Sequence, residues 1–137
     1  MNARELARRS QAAVAAKDRS AWLALFADDA VVQDPIGPSP LDPGGAGHRG
    51  AAAIAAFYDA VIATAERITF EIENSYLCGD EVADVGVIRT VLPGWARRHL
   101  WLPRLPVTEA AVVRPAGHAL VHAIRWATTA PPATPAT

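Results

Sequence analysis

Apolar and polar positions repeat with a helical period in the first half of the chain. Over residues 3–16, apolar side chains recur every three or four positions, which predicts an amphipathic helix. Ser10 falls on this apolar stripe, one turn after Leu6 and one turn before Val14. The side chain of Ser10 is therefore expected to face the core.

Three further elements are expected after the first helix: a short helix bearing Trp22 and Phe26, a strand over residues 30–34, and a helix that starts near Gly50. Residues 35–50 hold four prolines and five glycines and are predicted to form a long loop. The apolar face of the third helix includes Tyr58, so its phenol is expected to point inward.

From Ile68 onward the period changes to two, which is typical of strands. Turns are expected at residues 78–81 and 114–117. The predicted strands contain Ile68 to Ile72, then span residues 82–92, 107–113 and 118–126, with a less regular strand over 100–102.

Helices followed by antiparallel strands predict an α+β fold. We expect a curved, mostly antiparallel sheet that wraps around the N-terminal helices and encloses a conical apolar pocket. Residues 1–127 are predicted to form one domain, and the Thr-, Ala- and Pro-rich residues 128–137 a disordered tail.

Composition narrows the function classes. Of 137 residues, 51% are hydrophobic, which is enough for a core, and the net charge of −1 argues against nucleic acid as a partner. The local cluster of Arg97, Arg98 and Arg104 is interpreted as a solvated loop. A single cysteine excludes an intrachain disulfide, and no histidine or carboxylate set has metal-ligand spacing.

The sequence also argues against a membrane protein. Apolar runs stay short of the ~20 residues that span a bilayer, and the first residues do not resemble a signal peptide. A soluble, cytoplasmic protein is therefore expected.

Asp34 is the leading candidate for chemistry, because it follows an apolar run and precedes a turn forced by Pro35. A carboxylate at the mouth of an apolar pocket is what proton abstraction beside a carbonyl group requires. A turn-forming aspartate is the structural alternative.

The segment LFADDAVVQDPIG at residues 25–37 resembles the ketosteroid isomerases of the nuclear transport factor two-like superfamily. IAAFY at residues 54–58 and the final strand at 117–126 share this resemblance, which covers about residues 5–127. It implies a cone fold, a small apolar steroid- or polyketide-like ligand, a homodimer and no cofactor, since the substrate's own carbonyl is the electron sink.

Position by position, the resemblance implies that Asp34 is the base that moves a proton between two carbons of a steroid enone. Glu109 takes the place of an aspartate that stays neutral and hydrogen-bonds the oxyanion, an established property of that family. Tyr58 matches a supporting tyrosine, and Trp126 matches an aromatic wall near the base.

The chain departs from the family at the main oxyanion donor, a tyrosine on the first helix, whose position is taken by Ser10. The second tyrosine of the hydrogen-bond network is replaced by Phe26. Loss of one oxyanion donor costs about 10²–10³ in rate in other enzymes. We expect Ser10 and Phe26 to line the substrate site instead.

Two further positions have open interpretations. If the face of the strand with Ala111 points inward, Glu109 is desolvated and becomes a neutral donor; if it points outward, Glu109 is a surface acid. His122 shares strand parity with Trp126, and is either a pocket residue that takes over polarisation or an ordinary core histidine.

The function expected from these residues is a steroid delta-isomerase-like activity, which moves a double bond in a ketosteroid or similar apolar ketone. A polyketide cyclase, an epoxide hydrolase that uses Arg89 with Asp34, and a non-catalytic binder of flat apolar ligands are alternatives on the same fold.

Overall fold

Three helices and a six-stranded sheet form the part of the chain that the computed structural model describes, namely residues 2–34, 36–93, 107–116 and 119–128, the last two ranges by their backbone. The helices are α1 Ala3–Ala16, α2 Arg19–Leu23 and α3 Gly50–Phe57, and α3 continues as a π-helical turn over Tyr58–Ile62. The strands are β1 Val31–Gln33, β2 His48–Arg49, β3 Arg67–Cys78, β4 Glu81–Val91, β5 Val107–Ala116 and β6 Ala119–Thr128.

The strands lie in the order β2-β1-β6-β5-β4-β3. Neighbouring strands are antiparallel except β1 and β6, which run parallel. Helix α1 packs on β3, β4 and β5, and α3 packs on β1 and β2. The predicted α+β class and the mostly antiparallel sheet with N-terminal helices are confirmed.

Helix α1 has the predicted bounds, because both of its ends are capped. The Asn2 side chain accepts a hydrogen bond from the Glu5 amide at 2.9 Å, and Lys17 ends the helix in the left-handed conformation with φ 56°. The helix buries one stripe, made of Ala3, Ala7, Ser10, Ala13 and Val14. The predicted inward position of Ser10 is confirmed.

The expectation of a continuous loop over residues 35–50 is wrong at its end. His48 and Arg49 form the short strand β2, which pairs with β1 so that His48 lies opposite Val32. A two-residue strand is too short to show any period, so only its tertiary partner defines it.

The C-terminal strands are longer than predicted. Strand β5 continues to Ala116, through most of the turn expected at 114–117, and β6 continues to Thr128, the first residue of the expected tail. The other tail residues, the expected strand over 100–102 and the three arginines at 97, 98 and 104 lie outside the described residues.

A bulge in β3 changes which of its side chains face the helices. The pairing register with β4 shifts between Ile72 and Asn74, so that Ser75, rather than an even-numbered residue, lies opposite Asp84. Gly86 permits this bulge: a Cβ atom at position 86 would overlap the backbone of Glu71 and Ile72.

The core lies between the helices and the first strands of the sheet. Its buried members include Trp22, Val32, Ile54, Phe57 and Tyr58. Trp22 and Val32 are each only 1% exposed. Burial of each side chain therefore stabilises the fold by about 1.5–3 kcal/mol or more.

We predict that Gly86→Ala lowers the free energy of unfolding by about 1–3 kcal/mol or more, because the new methyl group meets fixed backbone rather than a flexible side chain. Chemical denaturation measures the loss. Gly44→Ala is the matched control, since its Cβ would meet nothing within 4 Å, and should change stability by less than about 1 kcal/mol. Equal stabilities of the two variants would contradict the role of Gly86.

Candidate functional site

The hydroxyl group of Ser10 is buried and held by a single tryptophan. Ser10 is 4% exposed, and its Oγ accepts a hydrogen bond from Trp22 Nε1 at 2.9 Å. A buried indole N–H requires an acceptor, which the serine supplies. Because Oγ accepts from the indole, the hydroxyl proton of Ser10 can donate to a second group.

Trp22 is the centre of an aromatic cluster. Its ring meets Phe26 edge-on with centroids 4.5 Å apart, and lies 5.5 Å from the ring of Tyr58 and 6.5 Å from that of Phe57. Such contacts contribute about 0.5–1.5 kcal/mol each beyond burial. The predicted site residues Ser10, Phe26 and Tyr58 are therefore brought together around Trp22.

Tyr58 carries the second buried hydroxyl group of the site. It begins the π-helical turn that extends α3, it is 2% exposed, and its Oη has no hydrogen-bond partner among the described residues. Burial raises the pKa of the Tyr58 phenol above its ordinary value near 10, and the Asp18 carboxylate adds to the rise. The phenol is therefore a proton donor throughout the neutral range.

Asp34 follows directly on β1 and is half-buried. Val32, two residues earlier, belongs to the same buried cluster as Trp22 and Tyr58. Asp34 is thus close in sequence to the buried cluster, and its role as a base stays a prediction.

The remaining candidates are placed by strand register. Val32 lies opposite His122 on β6, and Glu109 on β5 lies opposite Trp126 on one side and Gly86 on the other. Because paired positions share a face of the sheet, positions 109, 122 and 126 lie on the same face as buried Val32.

Two residues near the site were missed by reasoning from sequence. The pattern places Trp22 only on a short helix, although a buried tryptophan needs a partner for its N–H, which the inward-facing Ser10 can supply. His48 is expected in a loop, yet its ring lies 4.9 Å from that of Phe57 and its Nε2 is buried without a partner among the described residues.

Arg89 is not placed with Asp34. Its guanidinium group forms a two-point ion pair with Glu71, at 3.0 and 3.1 Å, and both side chains are exposed. The epoxide hydrolase arrangement that would use this arginine therefore finds no support in the structure.

Within the described ranges, no group of three or more His, Cys, Asp or Glu side chains is arranged to hold a metal ion. No helix in the same part of the chain has the length and apolar character needed to cross a bilayer.

The chain matches the family model described as a SnoaL-like domain over residues 7–135. A search of curated proteins found no match. Among solved structures, the chain is similar to RV0760c from Mycobacterium tuberculosis in complex with estradiol-17beta-hemisuccinate. The identity is 31%, the alignment covers 91% of this chain and 93% of that one, and the TM-score is 0.76.

A second similar structure is the Delta 5-3-ketosteroid isomerase from Mycobacterium sp., with 30% identity over 91% of this chain and 92% of that one, and a TM-score of 0.76. A putative polyketide cyclase from Sinorhizobium meliloti, at 22% identity over 88% of this chain and 94% of that one with a TM-score of 0.65, shows the shared fold alone. The resemblance to ketosteroid isomerases drawn from the sequence is confirmed.

We predict that Tyr58→Phe raises the free energy of unfolding at pH 7 by up to about 1–3 kcal/mol, because it removes a buried hydroxyl that has no partner among the described residues. The advantage should grow above pH 10. Above pH 10 the Tyr58 phenol ionises in the unfolded chain, while its raised pKa keeps it neutral in the folded chain. The free energy of unfolding of the wild-type protein therefore falls by about 1.4 kcal/mol per pH unit, and that of Tyr58→Phe does not.

Chemical denaturation of both proteins between pH 7 and 11 measures this difference. Tyr76→Phe is the control, because Tyr76 is 59% exposed, and it should change stability little at any of these pH values. A loss of about 1 kcal/mol in Tyr58→Phe at pH 7 would show that the hydroxyl is satisfied after all.

Proposed function

The chain belongs to the SnoaL-like domain family, and on that basis we propose that it binds an apolar, steroid-like ketone and isomerises it by proton transfer on Asp34. The observation that carries the proposal is the pair of buried hydroxyls on Ser10 and Tyr58. The Ser10 hydroxyl accepts a hydrogen bond from the Trp22 indole, the Tyr58 ring packs beside the same indole, and Tyr58 Oη has no hydrogen-bond partner among the described residues. Buried donors without partners call for an explanation, and an acceptor oxygen on a ligand supplies one.

In the proposed first step, the Asp34 carboxylate removes a proton from the carbon between the ketone and an isolated double bond. The electrons of that C–H bond shift toward the carbonyl oxygen and form a dienolate. The half-buried position of Asp34 after the buried residue Val32 supports this role, because a general base beside an apolar wall is partly desolvated and correctly placed.

The dienolate oxygen needs hydrogen-bond donors that are fixed in advance. We assign this role to the Ser10 and Tyr58 hydroxyls, with Glu109 in its neutral form as a third donor. The Trp22 N–H fixes the rotation of the serine hydroxyl, and the raised pKa of Tyr58 keeps that phenol protonated. The register of Glu109 with Gly86 and Trp126 is consistent with a place on the same side of the sheet as Val32.

In the second step, the Asp34 carboxylic acid returns its proton to the far carbon of the dienolate. The double bond is then conjugated with the ketone, the carboxylate is regenerated and no electron has left the substrate. Phe26, His122 and Trp126 are proposed to line the pocket that holds the rest of the ligand.

The replacement of the family phenol by Ser10 has a quantitative consequence. A missing oxyanion donor corresponds to a loss of about 10²–10³ in rate. The Ser10 hydroxyl, which is shorter and less acidic than a phenol, recovers only part of this loss, so we expect slower turnover than in a family member that has the tyrosine.

A non-catalytic binder of flat apolar ligands is the second candidate. One observation favours it: the Ser10 hydroxyl is drawn toward Trp22, so it reaches less far into a pocket than a phenol on the same helix. The similar protein from Mycobacterium tuberculosis was solved with a steroid ester bound. The homodimer, the cytoplasmic location and the conical pocket stay predictions.

The test is turnover of a Δ5-3-ketosteroid, followed by the ultraviolet absorbance of the conjugated product. We predict measurable turnover that falls by about 10²–10⁴ in Asp34→Asn, the usual contribution of a general base. Steroid binding, measured by equilibrium dialysis, should change far less, because the amide keeps the size of the carboxylate.

Asp29→Asn is the matched control, since Asp29 is exposed and lies five residues before the proposed base. It should leave turnover unchanged. Tight steroid binding without turnover in the native protein would favour the binder, and the absence of both would point to another substrate class.

A further inference from the structure

A cleft with a volume of about 250 Å³ lies between α1 and the bulged part of β3. Asp84 on β4 is one of the residues that line it, with Arg8 and Gln11 on the helix side and residues 72–75 on the strand side. None of these residues belongs to the cluster around Trp22. The cleft is therefore a separate feature of the fold.

Asp84 gives this cleft its chemistry. The residue is 3% exposed, its Oδ2 accepts a hydrogen bond from Gln11 Nε2 at 2.9 Å, and its Oδ1 has no partner among the described residues. It lies in the same buried row of β4 as Val82, where an apolar residue would satisfy packing alone. A buried carboxylate oxygen without a donor is costly, and Asp84 belongs to the lining of the cleft.

The walls of the cleft are fixed by the surrounding structure. The β3 bulge at residues 72–74 sets the wall opposite the helix, and Gly86 allows the strands to approach there. Arg4 of α1 bonds both the hydroxyl and the carbonyl oxygen of Ser75, each at 3.1 Å. The guanidinium of Arg4 is therefore already used to hold the wall.

Charge and shape indicate the class of ligand. Asp84 and Glu73 contribute two negative charges against one positive charge from Arg8, so the lining favours a cation. The side chain of Ile72 is 39% exposed and offers an apolar surface beside the carboxylates. A cation that carries N–H donors on a short alkyl stem matches both properties.

We propose that this cleft binds a primary alkylammonium ion, with the ammonium group on Asp84 Oδ1 and the alkyl stem along Ile72. Gln11 positions the carboxylate through the hydrogen bond to Oδ2. Arg8 is an intramolecular competitor, because its exposed guanidinium group carries the same kind of donor on a long flexible stem.

The test uses n-propylammonium chloride as the probe and follows the backbone and side-chain amide resonances of the ¹⁵N-labelled protein. We expect saturable shifts at Gln11, Asn74 and Ser75. Asp84→Asn should weaken binding about tenfold or more, since it removes the charge that receives the ammonium group. Arg8→Gln should tighten binding, because it removes the internal competitor.

Tetramethylammonium chloride at the same ionic strength is the control ligand, since it has the charge but no N–H donor. Glu66→Gln is the control variant, because Glu66 is an exposed acid outside the cleft. Tetramethylammonium should not cause saturable shifts, and Glu66→Gln should leave the binding of n-propylammonium unchanged. Unsaturable shifts, equal shifts with tetramethylammonium, or unchanged binding in a folded Asp84→Asn variant would each overturn the proposal.

Discussion

The buried indole N–H of Trp22 must have a hydrogen-bond acceptor, and the arrangement of the site follows from the fact that Ser10 provides it. The bond joins α1 to α2 within the core. It also places Phe26, Phe57 and Tyr58 around one ring. Since the serine is shorter than the tyrosine of related isomerases, the Tyr58 hydroxyl that would support such a phenol is left without a partner among the described residues.

This exchange changes the proposed chemistry without changing the fold. In the proposed reaction, the strong donor on the first helix is replaced by a weaker one, a serine oriented by an indole, and Tyr58 contributes a phenol that burial keeps protonated. The strand that precedes the proposed base Asp34 and the register of Glu109 do not depend on that exchange, because pairing within the sheet sets both. The family relationship is therefore compatible with a slow isomerase and with a binder.

The spacing of apolar residues and the capping residues predicted the helices and the faces that they bury. The α1 stripe, its bounds and the inward Tyr58 follow from helical spacing and capping. Strand β2 and the β3 bulge could not be predicted, because they depend on contacts with β1 and with Gly86. The burial of Asp84 could not be predicted either, because strand alternation alone does not tell which face of β4 the helix α1 covers.

A crystal structure with bound estradiol tests the central claim most directly, because its phenolic oxygen stands in for the dienolate oxygen of a ketosteroid. The account predicts that this oxygen lies within hydrogen-bond distance of Ser10 Oγ or Tyr58 Oη, with the Asp34 carboxylate beside the same ring. A steroid bound with its phenol turned away from both hydroxyls, or outside the space between the helices and the sheet, would contradict it.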